Sequence, residues 1–190
     1  MRAGPLKKHY TLDEYQKFEE RSAVRHEYHD GELFAMAGET ANHSRICVNI
    51  STMLNVFLHE SPCLVHDSNM KLHIKTRSFE KILYPDVSVT CHVNDQNNRT
   101  FMEQPKVIVE VLSKSTALYD RTDKFQFYKH VHSLENYILV DQYQRLLEVF
   151  QKVPDQLNSW LLTTWDSNEF QLPAIQFTGR IADIYHKVHL

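Results

Sequence analysis

The sequence predicts an α/β domain of the mixed-sheet, α+β kind over residues 1–190, with a central sheet flanked by helices, and three patterns carry that reading. Apolar residues recur in steps of three and four from His43 to Glu60, alternate with polar ones from Met70 to Lys75, and run almost unbroken through Lys106 to Leu112. These are the signatures of a helix with one buried face, a strand with one buried face, and a central strand covered on both. A chain of 190 residues can bury such a core without disulfide or metal staples. With no internal repeat, low-complexity tract or linker, the elements read as a single domain.

In chain order, Thr11 is placed to cap a helix running to Glu20, with Glu14 completing a capping box and Tyr15 and Phe18 supplying a short apolar stripe. Asp30-Gly31 between two extended runs in RHEYHDGELFAMAG predicts a β-hairpin. The long helix from His43 to Glu60 presents Ile46, Ile50, Met53, Leu54, Phe57 and Leu58 on one face, and Pro62 follows its end. Met70 to Lys75, Tyr84 to Val89 and Lys106 to Leu112 are three strands, and Ser113 to Thr116 supply cap residues for a helix from Ala117 to His132. Tyr137 to Asp141, Leu146 to Phe150 and Trp160 to Trp165 are further strands, and Ile181 to Val188 is a closing helix. Strands and helices mixed in this order fit a mixed sheet.

Composition narrows the chemistry. Four glycines, Gly4, Gly31, Gly38 and Gly179, are about a third of average usage, and none are clustered as a Walker loop or dinucleotide fingerprint requires. Phosphate, if handled, falls to side chains and metal ions. The formal charge of −3 lacks the basic excess of non-specific duplex binders, so a nucleic-acid role has to be local. The longest apolar runs, such as Tyr137 to Val140, fall far short of the ~20 residues of a membrane span. Cys47, Cys63 and Cys91 are odd in number and form no CxxC pair, and MRAGPLKKHY is no secretory leader, so a reducing cytoplasm is the expected setting. The twelve histidines lack zinc-motif spacing and read as surface residues.

Two carboxylates stand where they are costly. Asp86 follows Pro85 inside an apolar strand and Glu110 interrupts VIVEVL, where a bare charge costs several kcal/mol unless it is paired, protonated or bound to metal. Alternation sets Asp86 with Ser88 on one face and Glu110 with Leu112 on another. If the strands are neighbours the carboxylates converge, either as a hard-metal site for Mg²⁺ or Mn²⁺ or as two separate ion pairs with buried Arg or Lys. On the next helix, Asp120, Lys124 and Tyr128 follow at steps of four, which is a solvent-exposed pair on one reading and a cation folded back over Glu110 on the other. Lys71, His73, Lys75 and Arg77 alternate along one strand face. They form either a ribbon that follows a phosphate backbone or a solvated face that blunts aggregation.

Taken together, RHEYHDGE, YPDVSV, IVEVLSKST, YDRTDKFQFY and NYILVDQ resemble the Uma-type restriction endonuclease family, whose members have the PD-(D/E)XK nuclease fold. The resemblance runs from the first helix to LPAIQF and IADIY. It implies that Asp86 and Glu110 are the motif's acidic pair. The position of the motif's usual lysine is Leu112, and the family's replacement on the following helix matches Lys124, with Asp120 and Tyr128 as its companions. Glu27 matches an acidic hairpin residue and His43 a histidine at the start of the second helix. Lys114, where relatives resemble EVLSPS, is a rival for the lysine role if the strand runs that far, although the cap cluster at Ser113 to Thr116 argues that it ends sooner.

The implied activity is metal-dependent hydrolysis of nucleic-acid phosphodiesters, DNA foremost, by a homodimer. Asp86, Glu110 and Glu27 would hold Mg²⁺ or Mn²⁺, and Lys124 would support the nucleophile. Glu27 can equally be an exposed cross-strand charge, and His43 either a phosphate donor or a helix cap. A catalytically silent nucleic-acid-binding or assembly module, and a hydrolase of small phosphoesters, are the rival readings.

Overall fold

The computed structural model describes residues 9–98 and 100–190. Helix α1 (Leu12–Glu19) starts from the capping box: the Glu14 N–H donates to Thr11 Oγ1 at 3.2 Å and the Thr11 N–H to Glu14 Oε2 at 2.9 Å. Strands β1 (His26–His29) and β2 (Glu32–Ala35) form the hairpin, with Asp30 and Gly31 at φ of 50° and 96° in its turn. Positive φ at both turn residues matches the twist of the flanking strands, which is why an Asp-Gly pair closes a two-residue hairpin.

Helix α2 (Ala41–Phe57) begins earlier than its apolar period, because Thr40 caps it by accepting the His43 N–H at 3.2 Å. His43 is therefore not the cap residue; it lies in the first turn with its ring free to reach elsewhere. Strands β3 (Leu64–Asp67), β4 (Lys71–Lys75), β5 (Glu80–Leu83) and β6 (Val87–Thr90) follow, then the short helix α3 (Val93–Asn97), β7 (Phe101–Met102) and β8 (Pro105–Leu112). The predicted helix from Ala117 to His132 is shorter and changes character along its length: α4 (Ala117–Tyr119), a π-turn at Asp120–Lys124, then α5 (Phe125–Tyr128). The chain ends with β9 (Asn136–Asp141), β10 (Leu147–Lys152), β11 (Trp160–Trp165), the hairpin β12 (Glu169–Leu172) and β13 (Phe177–Arg180), and α6 (Ile181–Ile184), half the length expected of the closing helix.

The strands form a six-stranded sheet in the order β11-β10-β9-β8-β6-β3 and a five-stranded sheet in the order β2-β1-β5-β4-β7. Strand β8 is central, antiparallel to β6 and parallel to β9, as its unbroken apolar run requires. Val107, Val109 and Val111 face α2, where Ile46, Ile50, Leu54 and Leu58 cover them. Ile108 and Leu112 face the other way, against Phe125 and Tyr128 of α5 and Leu72, Ile74 and Leu83 of the second sheet. Helix α1 contributes Tyr15 to a third cluster with Tyr28, Leu33 and Ile82.

Asp86 lies between β5 and β6, not inside a strand. Tyr84-Pro85-Asp86 is the segment by which the chain passes from one sheet to the other, and Pro85, lacking an N–H, suits a point where no ladder bond is made. Cys63 and Cys91 pair as a disulfide just beyond the Leu64↔Thr90 register of β3 and β6. Spacing in the sequence hid this pair, which antiparallel register alone brings together. His26, His29 and His43 are buried, contrary to a surface reading of the histidines.

Replacing Gly31 by Ala should lower stability by roughly 1–2 kcal/mol, the cost of a left-handed residue with a Cβ. Urea titration with an unchanged slope checks this; an unaltered midpoint would show that the turn tolerates a side chain.

Candidate active site

The interior position of β8 carries Glu110 into the core beneath the π-turn. Glu110 is 2% exposed, and its Oε1 accepts hydrogen bonds from the Tyr128 hydroxyl at 2.6 Å and the Lys124 ammonium at 2.7 Å. Lys124 is 5% exposed and also faces Asp120 Oδ1 at 3.7 Å and Glu27 Oε1 at 3.8 Å. An Asp and a Lys four apart on a helix are usually a surface pair. Here both ends are buried, because the π-turn that contains them packs down onto β8 and β9, where the Tyr137 hydroxyl donates to the Asp120 carbonyl at 2.9 Å.

Asp86 reaches the same space from the crossover. Its Oδ2 accepts the Val111 N–H at 2.7 Å and faces His43 Nε2 at 3.2 Å. Glu27, on β1 of the five-stranded sheet, is buried, with His29 Nε2 at 3.2 Å from its Oε2 and the Tyr119 hydroxyl at 3.4 Å. It is not the exposed cross-strand charge that alternation allowed. A cavity of about 290 Å³ is lined by Glu27, His43, Asp86, Glu110, Asp120 and Lys124.

Lys114 and Lys71 stand apart from this cluster. Strand β8 ends at Leu112, and Lys114 is an exposed residue at the cavity rim with its ammonium 5.4 Å from the Tyr143 ring centre. Lys71 does not line the cavity; its ammonium lies 5.7 Å and 5.5 Å from the Tyr15 and Phe101 ring centres. On this face, which alternation left as either a ribbon along a phosphate backbone or a solvated face, two residues meet acids. His73 bridges Glu80 at 2.9 Å and Glu103 at 3.0 Å, and Lys75 meets Glu80 at 3.1 Å.

Three residues of the site were not singled out in the sequence. Tyr119 sits against Glu27. Gln142 donates to the Leu112 carbonyl at 2.8 Å and accepts the Thr40 hydroxyl, tying the end of β8 to the start of α2. Cys47 lies 3.6 Å from His43 Nδ1, one helical turn along. The NYILVDQ segment held the only sequence signal for Gln142, a buried amide just past an apolar strand.

The electrostatics follow from four buried carboxylates around one buried ammonium. Burial pushes the Glu110 carboxyl up to about 8; Lys124 opposes that and the Asp86 and Asp120 charges add to it. Burial draws the Lys124 ammonium down, but the surrounding Glu110, Asp120 and Asp86 charges hold it above the usual lysine range. Burial likewise works against the His43 imidazolium, yet its bonds to Asp86, Cys47 and Glu39 and the Asp86 charge hold it above the usual histidine range.

Comparison with known proteins bears on family and fold. Residues 12–178 match the model of the Uma2 family, described as "Putative restriction endonuclease". Two uncharacterized proteins of Synechocystis sp. are each 36% identical, one over 91% of this chain and 90% of its own length, the other over 80% and 85%. A solved structure, a "putative nuclease belonging to DUF820" from Anabaena variabilis, superposes with a TM-score of 0.72 at 18% identity, covering 93% of this chain and 97% of that one. At that identity the likeness is one of fold.

Because the folded value for His43 lies above the unfolded one, its charged form contributes stability below the ordinary histidine pKa and loses it only as pH rises through the folded value. The ring should therefore remain protonated at about pH 8, where a free histidine, with its pKa of about 6.5, is neutral. Asp86→Asn should move the titration down. Histidine-ring NMR reads both, and a wild-type ring that titrates as a free histidine does would contradict the assignment.

Proposed function

Since the chain belongs to the Uma2 restriction endonuclease family, we propose that it hydrolyses phosphodiester bonds of nucleic acid, DNA foremost, with Mg²⁺ or Mn²⁺ as its cofactor. The observation that carries this is the convergence of Asp86, Glu110 and Glu27 with the buried Lys124 on one cavity. The donor set fits the ion. Its carboxylate oxygens are the ligands that hard divalent cations take, and among the described residues the buried acidic groups of the cavity outnumber its buried cations. A divalent ion held by Asp86 and Glu110, with Glu27 as a further ligand, would supply polarisation of a phosphoryl oxygen and acidification of a water.

The chain's own groups do the positioning. The Val111 N–H and His43 fix the Asp86 carboxylate, and the Tyr128 hydroxyl fixes that of Glu110. Lys124, constrained by carboxylates on three sides, is placed to orient an attacking water or to offset charge developing on the phosphate. Asp120 serves as a positioning residue for that ammonium. Lys114, exposed at the rim, would meet the substrate backbone.

One observation favours a second reading, a module that binds nucleic acid without cutting it. Glu110 already has an ammonium and a hydroxyl as partners, a satisfied arrangement that needs no ion. Incubation of the purified protein with duplex DNA, single strands, RNA and a small phosphodiester, in Mg²⁺, Mn²⁺ or chelator, separates the two. We expect cleavage that chelator abolishes. Glu110→Ala and Lys124→Ala should each lower the rate by about a hundredfold or more, the scale on which removal of a transition-state donor acts, with circular dichroism unchanged. Full cleavage by both variants would sink the assignment, and binding without cleavage by the wild type would establish the second reading.

A further inference from the structure

The nuclease reading leaves Cys47 unused. It is the free cysteine among the described residues and lies one turn after His43 on α2. Its sulfur is 3.6 Å from His43 Nδ1. The other ring nitrogen, Nε2, faces Asp86 Oδ2 at 3.2 Å, and Glu39 Oε2 lies 3.4 Å from Nδ1. One donor atom from each of His43, Cys47 and Asp86 lies within 4.8 Å of the other two.

We propose that this cluster is a binding site for a thiophilic divalent cation of the Zn²⁺ class. His43 Nδ1 and Cys47 are its primary ligands, the Glu39 carboxylate closes the shell, and Asp86 acts through the opposite ring nitrogen. The spacing suits the ion. Bonds of about 2.3 Å to sulfur and about 2.0–2.1 Å to nitrogen or oxygen, set at a tetrahedral angle, place sulfur and nitrogen about 3.6 Å apart and oxygen and nitrogen about 3.4 Å apart. These match the separations of Cys47 Sγ and of Glu39 Oε2 from His43 Nδ1. A carboxylate on the opposite ring nitrogen, as Asp86 is here, is the usual partner that fixes the tautomer of a metal-bound imidazole.

The donor types select the ion. A thiolate with an imidazole suits Zn²⁺ and its neighbours and not Mg²⁺, which takes oxygen. Binding expels the thiol proton and the Nδ1 proton to solvent, and the cation takes the place of the hydrogen that Nδ1 now directs at Cys47 and Glu39. Access is through the cavity, which Glu39, His43 and Asp86 all line. A cysteine that merely fills space between α2 and the sheet would have no effect on metal affinity. Occupancy holds the His43 ring whose other nitrogen orients Asp86, so a zinc-class ion would alter the hard-cation site; that consequence, unlike the site itself, rests on the nuclease reading.

Titration of the full chain with Co²⁺, followed by Zn²⁺ in competition, tests the site without any nuclease assay. The Cys63–Cys91 pair is kept oxidised. We expect a thiolate-to-cobalt charge-transfer band in the wild type that Zn²⁺ bleaches. Cys47→Ser should abolish it and weaken Zn²⁺ binding tenfold or more, and Glu39→Gln should weaken binding by less. Circular dichroism controls for folding. A wild type without the band, or a Cys47→Ser protein that keeps the wild-type Zn²⁺ affinity, would overturn the proposal. A protein that shows the band and cuts no nucleic acid would retain this site and discard the nuclease reading.

Discussion

The contact on which the site depends is the buried pair of Glu110 and Lys124. A carboxylate in the middle of a central strand loses its hydration, and an effective penalty of several kcal/mol per ion has to be offset by good geometry and additional hydrogen bonds. Both are present: the ammonium at 2.7 Å and the Tyr128 hydroxyl at 2.6 Å meet the same oxygen. An apolar pair of similar volume would be no less stable. The arrangement therefore has more to offer reactivity than stability, and burial draws the Glu110 carboxyl up to about 8.

Position comes from two sheets and one irregular helix. β8 brings Glu110 from the centre of the six-stranded sheet, and β1 brings Glu27 from the other sheet. The crossover at Tyr84-Pro85-Asp86 brings the third carboxylate from the join between them. The π-turn then sets Asp120 and Lys124 over all three. A π-turn departs from regular α-helical hydrogen bonding and is frequent at functional sites. In this case it lies at the one place where a helical lysine has to reach inward across a buried acidic cluster.

How much of this could be read from the residues depends on how local its cause is. The capping box at Thr11, the Asp30-Gly31 turn and the apolar run of β8 are legible because a few neighbouring residues decide them. The ordered acidic motifs likewise marked Asp86 and Glu110 as costly where they stand. The Lys71 face was left open for the complementary reason: alternation tells which side chains share a face, but not that Glu80 and Glu103 face His73 from other segments. For Asp120 and Lys124 a period of 3.6 residues allowed a surface pair beside a cation folded back over Glu110, and it contains no hint of a π-turn. Cys63 and Cys91 were separated by 28 residues and joined by register, and His26 and His29 were buried by a hairpin covered on both faces. In each of these cases a partner distant in sequence supplies the deciding contact.

Helix α2 shows how one element can serve two chemistries. Its apolar face, Ile46, Ile50, Leu54 and Leu58, is fully engaged with the valines of the central sheet, so the helix cannot rotate to adjust a ligand. That rigidity fixes the direction of the His43 ring, and the ring separates two environments: Asp86 with its oxygens on one edge, Cys47 and Glu39 on the other. An imidazole placed in this way orients the carboxylate through one nitrogen while offering the other to a softer ion. Whichever cation binds, Asp86 and His43 feel it together, because a hydrogen bond joins them.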